Sequence, residues 1–239
     1  MKHASELIKD FESEQYNELL TDIYVDEHLL AYQNGRYIAA LQKFIKDFGD
    51  TEVSIFSAPG RSEVGGNHTD HQHGQVLAAS INLDAIAIVA KTSDDKIQVI
   101  SDGYDLITID ASDLSLVESE KETTTALIKG VAAGLKEHGH AVGGFKAYIT
   151  SDVLIGAGLS SSAAFETIIG TILSGLYNNG SVSAIEIAII GQYAENVYFG
   201  KPCGLMDQMA SSVGNLVHID FADPADPIVE KIDFDMAKS

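Results

Sequence analysis

Apolar side chains in the first fifty residues recur at intervals of three and four, the spacing that places them on one face of an α-helix. We therefore predict a helical extension over residues 1–50, interrupted once at Asn34-Gly35 because these residue types favour breaks between helices. The extension is expected to pack on the rest of the chain or to take part in association. The apolar positions are Leu7, Ile8, Phe11, Leu19, Leu20, Ile23, Ile38, Leu41, Phe44 and Ile45.

From Thr51 the pattern changes to short apolar or alternating runs, which predict β-strands. The run at 83–90 is almost entirely apolar, so this strand is expected to be buried on both faces of its sheet. The first strand is expected to end sharply at Pro59-Gly60-Arg61, and a hairpin-like pair is expected to be joined through Asp102-Gly103. The predicted strands cover residues 53–56, 75–80, 83–90, 96–101, 106–109, 145–150 and 215–221.

Helical patterns alternate with strands in the second half of the chain. One helix is predicted at 123–138, a second runs to about Tyr177, a third begins at the capping box Ser183-Ala-Ile-Glu186, and a short one begins near Leu205. This mixture is typical of an α+β fold. We predict two units, the helical extension at 1–50 and one α+β domain at 51–239, with no linker inside the domain.

Composition and charge narrow the possible functions. The chain has 239 residues, 45% of them hydrophobic, and a formal net charge of −20. So acidic a protein is not expected to bind nucleic acid or an anionic membrane, because both partners require cationic surface. The sequence shows no signal peptide, no apolar run near the ~20 residues of a membrane span, and a single cysteine, Cys203. A cytoplasmic location is therefore expected.

A glycine- and serine-rich segment lies between the strand at 145–150 and the helix that follows it. It contains Gly156, Gly158 and Leu159, then three consecutive hydroxyls at 160–162 and Ala163. Such a turn points several backbone N–H groups and the positive end of a helix dipole at one place, where a phosphate group fits. A simpler interpretation stays open, namely an ordinary serine-capped helix after a glycine turn.

Two further segments carry polar chemistry. Residues 62–71 concentrate polar side chains in a predicted loop, which is either a ligand site or solvated surface. Glu195 interrupts an otherwise apolar helix, and Asp207 lies just after a glycine-rich turn. One interpretation places Glu195 on the solvent face of its helix and makes Asp207 a cap stabilised by the helix dipole. Phosphoryl transfer offers a second reason for both, because it needs a carboxylate to hold Mg²⁺ and another near the attacking hydroxyl.

Three motifs in this order resemble those of the galactokinase family of GHMP small-molecule kinases. The sugar-binding signature of that family, P-G-R-V-N-L-I-G-E-H-T-D-Y, aligns with residues 59–71, and its G-L-S-S-S-A motif aligns with 158–163. Its third block, A-E-x-x-x-x-G-x-x-C-G-[IL]-M-D-Q, aligns with 194–208. The resemblance covers about residues 50–235. It implies the GHMP kinase N-terminal domain, which is related to the ribosomal S5 domain 2-like fold, and an ATP- and Mg²⁺-dependent sugar 1-kinase acting on galactose.

The resemblance also implies roles for particular residues. Asp207 is expected to be the catalytic carboxylate facing the anomeric hydroxyl of the sugar, with Arg61 as its cationic neighbour. Ser162 and Glu195 are expected to hold Mg²⁺. The expected phosphate-binding residues are Gly156, Gly158, Leu159, Ser160, Ser161, Ser162 and Ala163, and the expected sugar-binding residues are Glu63, Asn67, His68 and Asp70.

Four departures from the family signature surround the expected sugar site. Glu63 replaces Asn, Val64-Gly65 replaces Leu-Ile, Asn67 replaces Glu and His71 replaces Tyr. The signature therefore leaves open another galacto-configured sugar, such as galacturonate or N-acetylgalactosamine, or a catalytically silent sensor. Galactokinases also continue into a C-terminal GHMP half, which is expected to be supplied by the same or another chain.

Overall fold

Helices cover both faces of a mixed sheet in a computed structural model that describes residues 2–154, 156–223 and 226–234. The sheet has eight strands within these residues. The strands are β1 Lys2–His3, β2 Glu52–Gly65, β3 Gln75–Lys91, β4 Lys96–Ser101, β5 Ile107–Asp110, β6 Phe145–Ser151, β7 Leu216–Asp220 and β8 Ile228–Ile232. The α-helices are α1 Ala4–Glu12, α2 Asn17–Tyr24, α3 Leu30–Phe48, α4 Thr124–Glu137, α5 Ser161–Tyr177, α6 Ala184–Tyr193 and α7 Met206–Val213.

The long strand β3 connects the two parts of the sheet. The main path runs β1-β2-β3-β6-β4-β5, and β7 and β8 branch from β3. The first part of β3, residues 75–79, pairs with β7, whereas residues 85–91 pair with β6. All these pairings are antiparallel except that of β4 with β6. Both branches thus meet at β3, and β2 pairs with β3 along most of its length.

The side chains of β3 point alternately to the two faces of the sheet, which explains its continuous apolar run. Ile86, Ile88 and Ala90 pack in a core with α1, α2 and α3 on one face. Ala87 and Val89 pack on the other face, against α4, α5 and α6. Successive side chains of a strand point to opposite faces, so a strand between two helical layers needs apolar residues at every position. The prediction that this strand is buried on both faces is confirmed.

Two strand predictions need correction. β2 does not end at Pro59-Gly60-Arg61 but continues to Gly65, with a shift of register between Pro59 and Arg61. A bulge of this kind tolerates a proline, which has no N–H to donate, and glycine suits the close approach of another backbone. A Cβ at Gly60 would lie 2.8 Å from Leu159 O. The runs at 75–80 and 83–90 form the single strand β3, because β2 pairs with the residues on both sides of the gap.

The predicted break at Asn34-Gly35 is also wrong, because both residues lie inside α3. The Asn34 side chain donates to Leu30 O at 3.0 Å and to Asn17 Oδ1 at 2.7 Å, so it bonds to its own helix and to α2. The apolar face of α3 then overrides the weak local preference for a break. The breaks fall instead at residues 13–16 and 25–29.

The remaining helices follow the predicted signals, with one difference in the capping box. Ser183 Oγ caps α6 by accepting from Glu186 N at 3.1 Å. The Glu186 carboxylate is turned away, with Oε1 lying 3.0 Å from His138 Nδ1 and 2.9 Å from His140 Nε2. After α6 the chain makes a π-helical turn, Ala194–Phe199. This turn ends at Gly200, which has a φ of +85°. No helix in the described part of the chain combines the length and apolar character that crossing a membrane requires.

Replacing Phe44 by alanine tests whether the first three helices belong to the same folded unit as the sheet. Phe44 lies on α3 and is fully buried in the core shared with β3. We expect Phe44→Ala to lower the free energy of unfolding by about 3–5 kcal/mol, the cost of removing a buried phenyl ring. Leu19→Ala on the exposed side of α2 is the control, with a change of about 0.5 kcal/mol or less. Denaturant titration measures both, and a Phe44→Ala effect as small as that of the control would contradict the packing.

Candidate active site

Arg61 joins three separate elements at the end of the sheet. It follows the bulge in β2 and its side chain is buried. Its Nε and Nη2 donate to the two carboxylate oxygens of Asp207 at 2.7 and 2.8 Å. Nη1 donates to Gly158 O at 2.6 Å. The two-point pairing of a guanidinium with a carboxylate is a strong, directional interaction, so Arg61 fixes Asp207 on α7 relative to the glycine-rich loop.

The glycine-rich loop leaves the N-terminus of α5 open. Gly156, Gly158 and Ser160 have φ values of +78°, +74° and +61°, so the chain makes left-handed turns before α5 begins. Ser160 occupies the capping position, yet no side chain among the described residues caps α5. The Ser160 hydroxyl instead donates to Asp207 Oδ2. The simpler interpretation, a serine-capped helix, is therefore wrong, and the first N–H groups of α5 remain available to an anion.

The rest of the loop supports this arrangement. Leu159 O accepts from Arg61 N at 3.1 Å, which ties the loop to β2 through the backbone. Ser161 and Ser162 are half-buried at the start of α5, and Ala163 is fully buried. The loop, the start of α5, Arg61 and Asp207 thus form one site.

Asp70 belongs to the polar loop after β2, and its side chain contacts the N-terminus of α7, the helix that carries Asp207. It is buried, and its Oδ2 accepts from Met206 N at 3.2 Å. A Cβ at Gly204 would overlap the same oxygen. Glycine is therefore required at 204 for the polar loop to approach α7.

Glu63 organises the polar loop after β2. Its Oε1 accepts from His68 N at 2.8 Å, and its Oε2 lies 3.2 Å from His68 Nε2. Asn67 and His68 have φ values of +55° and +50° and are exposed. The predicted loop is correct only from Gly66 onward, because residues 62–65 belong to β2.

A second polar cluster lies behind Asp207. Glu195 is only 5% exposed, so its interpretation as a solvent-facing residue is wrong. Gln208 Nε2 donates to Glu195 Oε2 and to Glu166 Oε2, both at 3.0 Å. Burial, reinforced by the neighbouring Glu195 carboxylate, raises the pKa of Glu166 well above its usual range. Burial likewise raises the pKa of the Cys203 thiol.

Glu166 was not among the residues predicted for the site. Its signal was a lone acid in the apolar run of α5, the same kind of signal that drew attention to Glu195. A fully buried carboxyl group needs a polar partner, and here Gln208 provides it.

The residues expected to hold a metal carry oxygen donors, the type of ligand that a hard cation prefers. Ser162 offers a hydroxyl and Glu195 a carboxylate, and Mg²⁺ prefers one or two such oxygen ligands together with substrate phosphates. Glu195 Oε1 lies 3.8 Å from Lys201 Nζ. The described residues contain no cluster of three or more His, Cys, Asp or Glu side chains that could hold a metal unaided.

The fold and the loop define the class of this protein. Residues 126–215 match the family model described as GHMP kinases N terminal domain. The crystal structure of Methanococcus jannaschii mevalonate kinase superposes with a TM-score of 0.63 at 19% identity, covering 78% of this chain and 58% of that one. This likeness concerns the fold alone. The chain has the N-terminal domain of a GHMP kinase.

Within that class, the chain belongs to the galactokinase family. Residues 42–91 match the model described as Galactokinase galactose-binding signature. Galactokinase from Streptomyces coelicolor is 34% identical over 82% of this chain and 50% of its own length, and that from Clostridium tetani is 31% identical over 78% and 47%. Lactococcus lactis galactokinase complexed with galactose superposes with a TM-score of 0.73 at 29% identity, covering 83% and 52%. The chain thus spans about half the length of the curated relatives it matches.

Gly204→Ala tests the close approach of Asp70 to α7. The new methyl group has to displace the Asp70 carboxylate, which leaves Met206 N without its acceptor, so we expect a loss of about 1–3 kcal/mol in unfolding free energy. Gly35→Ala inside α3 is a matched control, because apart from the chain neighbours and the backbone of the helix itself no described atom lies within 4 Å of the added Cβ. It should stabilise the protein by about 0.5–1 kcal/mol. Equal effects in thermal or denaturant unfolding would refute the packing at Gly204.

Proposed function

We propose that this chain forms the N-terminal half of an ATP-dependent sugar 1-kinase, and that the sugar it phosphorylates is galactose. One observation carries the proposal. The hydroxyl of Ser160, which would ordinarily cap α5, is bonded to Asp207, and Arg61 holds the same carboxylate. An open anion site and an oriented carboxylate therefore lie side by side, which are the two elements that phosphoryl transfer requires.

The transfer follows from this juxtaposition. The N–H groups at the start of α5 hold the terminal phosphates of ATP, helped by the left-handed turns at Gly156 and Gly158. Asp207 accepts a hydrogen bond from the anomeric hydroxyl and takes its proton as the oxygen attacks the γ-phosphorus. The bond from the γ-phosphorus to the β–γ bridging oxygen breaks, and ADP leaves. Arg61 orients the Asp207 carboxylate by donating to both of its oxygens and offsets the negative charge of the transferring group.

Mg²⁺ fits the same scheme through Ser162 and Glu195. When bound, it neutralises charge on the β- and γ-phosphates. The role of the protein is to place the two oxygen donors, and Gln208 orients the Glu195 carboxylate by donating to its Oε2 at 3.0 Å. Ser162, Glu195 and Asp207 are all present, which favours a transferase over a silent sensor.

The sugar site is built from the loop that Glu63 organises. We propose that His68 and Asp70 hydrogen-bond the sugar hydroxyls, with Asn67 near C6. Galactose is supported by the relatives, which are galactokinases, one of them crystallised with galactose. Asn67 is the observation that favours a second candidate, a galacto-configured sugar altered at C6 such as galacturonate, because an amide does not repel a substrate carboxylate. N-acetylgalactosamine remains a further candidate.

Residues beyond this chain complete the proposed enzyme. The relatives are about twice as long as the segment they share with it. We propose that a C-terminal GHMP half, in the same or another chain, closes over the ATP and sugar sites.

Asp207→Asn tests the proposed base. The amide keeps the shape of the side chain but cannot accept the proton, so turnover in the complete protein should fall by at least about 10²-fold with little change in ATP affinity. Asp110→Asn on β5, away from the site, is the control and should retain full turnover. The measurement is ADP release with saturating galactose. Turnover of Asp207→Asn within a few-fold of the parent would disprove this assignment.

Asn67→Glu tests the C6 argument. Restoring the carboxylate that the family signature carries should tighten galactose binding by about tenfold, since a hydrogen bond to a charged acceptor contributes about 1–2 kcal/mol more than a neutral one. It should also abolish any activity on galacturonate. A panel of galactose, galacturonate and N-acetylgalactosamine provides the readout, with Glu63→Gln as the comparison. An unchanged sugar profile for Asn67→Glu, together with a changed one for Glu63→Gln, would assign C6 selectivity to Glu63 instead.

A further inference from the structure

A buried polar network lies under α2 and α3, on the opposite face of the sheet from the helices that carry Glu195 and Asp207. At its centre is Asp84 of β3, which is 2% exposed. Its carboxylate accepts from Arg36 Nη1 at 2.6 Å, from Tyr24 OH at 2.9 Å and from Ser57 Oγ at 2.5 Å. Arg36 lies on α3 and also donates through Nη2 to the backbone oxygen of Asp84 at 2.7 Å. Two helices of the extension are thereby bonded to the sheet at one point.

The same network reaches the segment that leads into the glycine-rich loop. Asp152 follows β6 and precedes Gly156 by four positions. Its Oδ2 lies 3.3 Å from Arg36 Nη1, and its backbone N–H donates at 2.9 Å to Asp84 O, the oxygen that Arg36 Nη2 also contacts. Arg36 is thus the one cation facing two carboxylates at the base of the loop, as far as the described residues show.

The strand that carries Arg61 is bonded to the same point. Asp84 pairs with Pro59 in the β2–β3 ladder, two residues before Arg61. A Cβ at Gly60 would lie 3.0 Å from Val153 Cγ1, so the residue after Asp152 packs closely against β2. Moving Asp152 relative to Asp84 would therefore move the loop relative to Arg61.

Stability alone does not account for this arrangement. Arg36 Nε is buried and has no hydrogen-bond partner among the described residues, which is unfavourable. Buried ion pairs are often replaced by apolar residues of similar size without loss of stability, because desolvation of the charges offsets their attraction. A guanidinium that contacts two separate backbone segments has a geometric effect that an apolar side chain lacks.

We propose that Arg36 is a positioning residue for the glycine-rich loop. It holds Asp152 against Asp84, and so fixes the position of the loop and of the start of α5 relative to Arg61. The proposal rests on the function proposed above and assigns a role to the helical extension. Arg36 acts through Asp152 and the backbone and does not touch ATP.

Arg36→Met, measured in this chain together with the proposed C-terminal half, tests the proposal. Methionine retains much of the volume but cannot join the two carboxylates. We expect the Kd of a non-hydrolysable ATP analogue, measured calorimetrically without sugar, to rise by about tenfold to a hundredfold, since small misplacements of binding groups have effects of this size. The Kd of galactose should change by less than about twofold. Leu41→Ala is the control, because Leu41 is buried on α3 within the apolar core and makes none of the hydrogen bonds of the network, so its replacement destabilises the same helix without removing one of those bonds.

Asp152→Asn and the double variant extend the test. Asp152 is partly exposed, so its replacement is compatible with folding even if Arg36→Met does not fold. If the Arg36–Asp152 contact positions the loop, Asp152→Asn should bind the ATP analogue more weakly. Simple removal of a negative charge near a phosphate site would instead strengthen binding. The double variant should bind no more weakly than Arg36→Met, because either change alone already removes the Arg36–Asp152 ion pair.

Several results would overturn the proposal. These are parental ATP-analogue affinity in both single variants, stronger binding by Asp152→Asn, additive losses in the double variant, or an equal loss in Leu41→Ala. A parent protein that neither binds the analogue nor phosphorylates sugars would instead refute the proposed function. The two failures are thus distinguishable.

Discussion

The two-point contact between Arg61 and Asp207 is the interaction on which the site depends. It joins β2 to α7, two elements far apart in the chain, and the third guanidinium nitrogen binds the carbonyl of Gly158 in the loop. A carboxylate so placed is fixed in orientation, because two parallel hydrogen bonds leave it little freedom to turn. It also accepts the Ser160 hydroxyl, so that the N-terminus of α5 keeps its N–H groups free. One ion pair thus links the proposed base and the anion site.

The rest of the fold brings these residues together. The bulge at Pro59 and Gly60 lets β2 pass close to the loop, where Arg61 N bonds to Leu159 O. On the far face of the sheet, α1, α2 and α3 cover β3 and bury its second set of apolar side chains. Arg36 extends from that layer to Asp84 and Asp152, so the helical extension contacts the base of the loop. Packing on one face and placement of the site on the other are therefore coupled through β3.

The motifs of the sequence predicted which residues lie together better than local patterns predicted where strands and helices end. Residue types that phosphoryl transfer requires occur in three blocks, and the structure brings Arg61, the glycine-rich loop and Asp207 into contact as those blocks indicated. The role of Ser160 was not predictable, because its partner lies 47 positions away and only the fold brings them together. For the same reason local signals gave wrong ends for β2 and a false break in α3. Pairing with β3 and packing against the sheet outweigh the preferences of proline, glycine and asparagine.

A structure of this chain together with the proposed C-terminal GHMP half, bound to galactose and a non-hydrolysable ATP analogue, would decide whether the site works in this way. The quantity to measure is the position of the γ-phosphate and of the anomeric oxygen relative to the Arg61–Asp207 pair. We predict that the phosphate accepts from the N–H groups of Ser161, Ser162 and Ala163, and that the anomeric oxygen lies within about 3 Å of an Asp207 oxygen. A γ-phosphate bound away from the start of α5, or a different sugar hydroxyl facing Asp207, would contradict it.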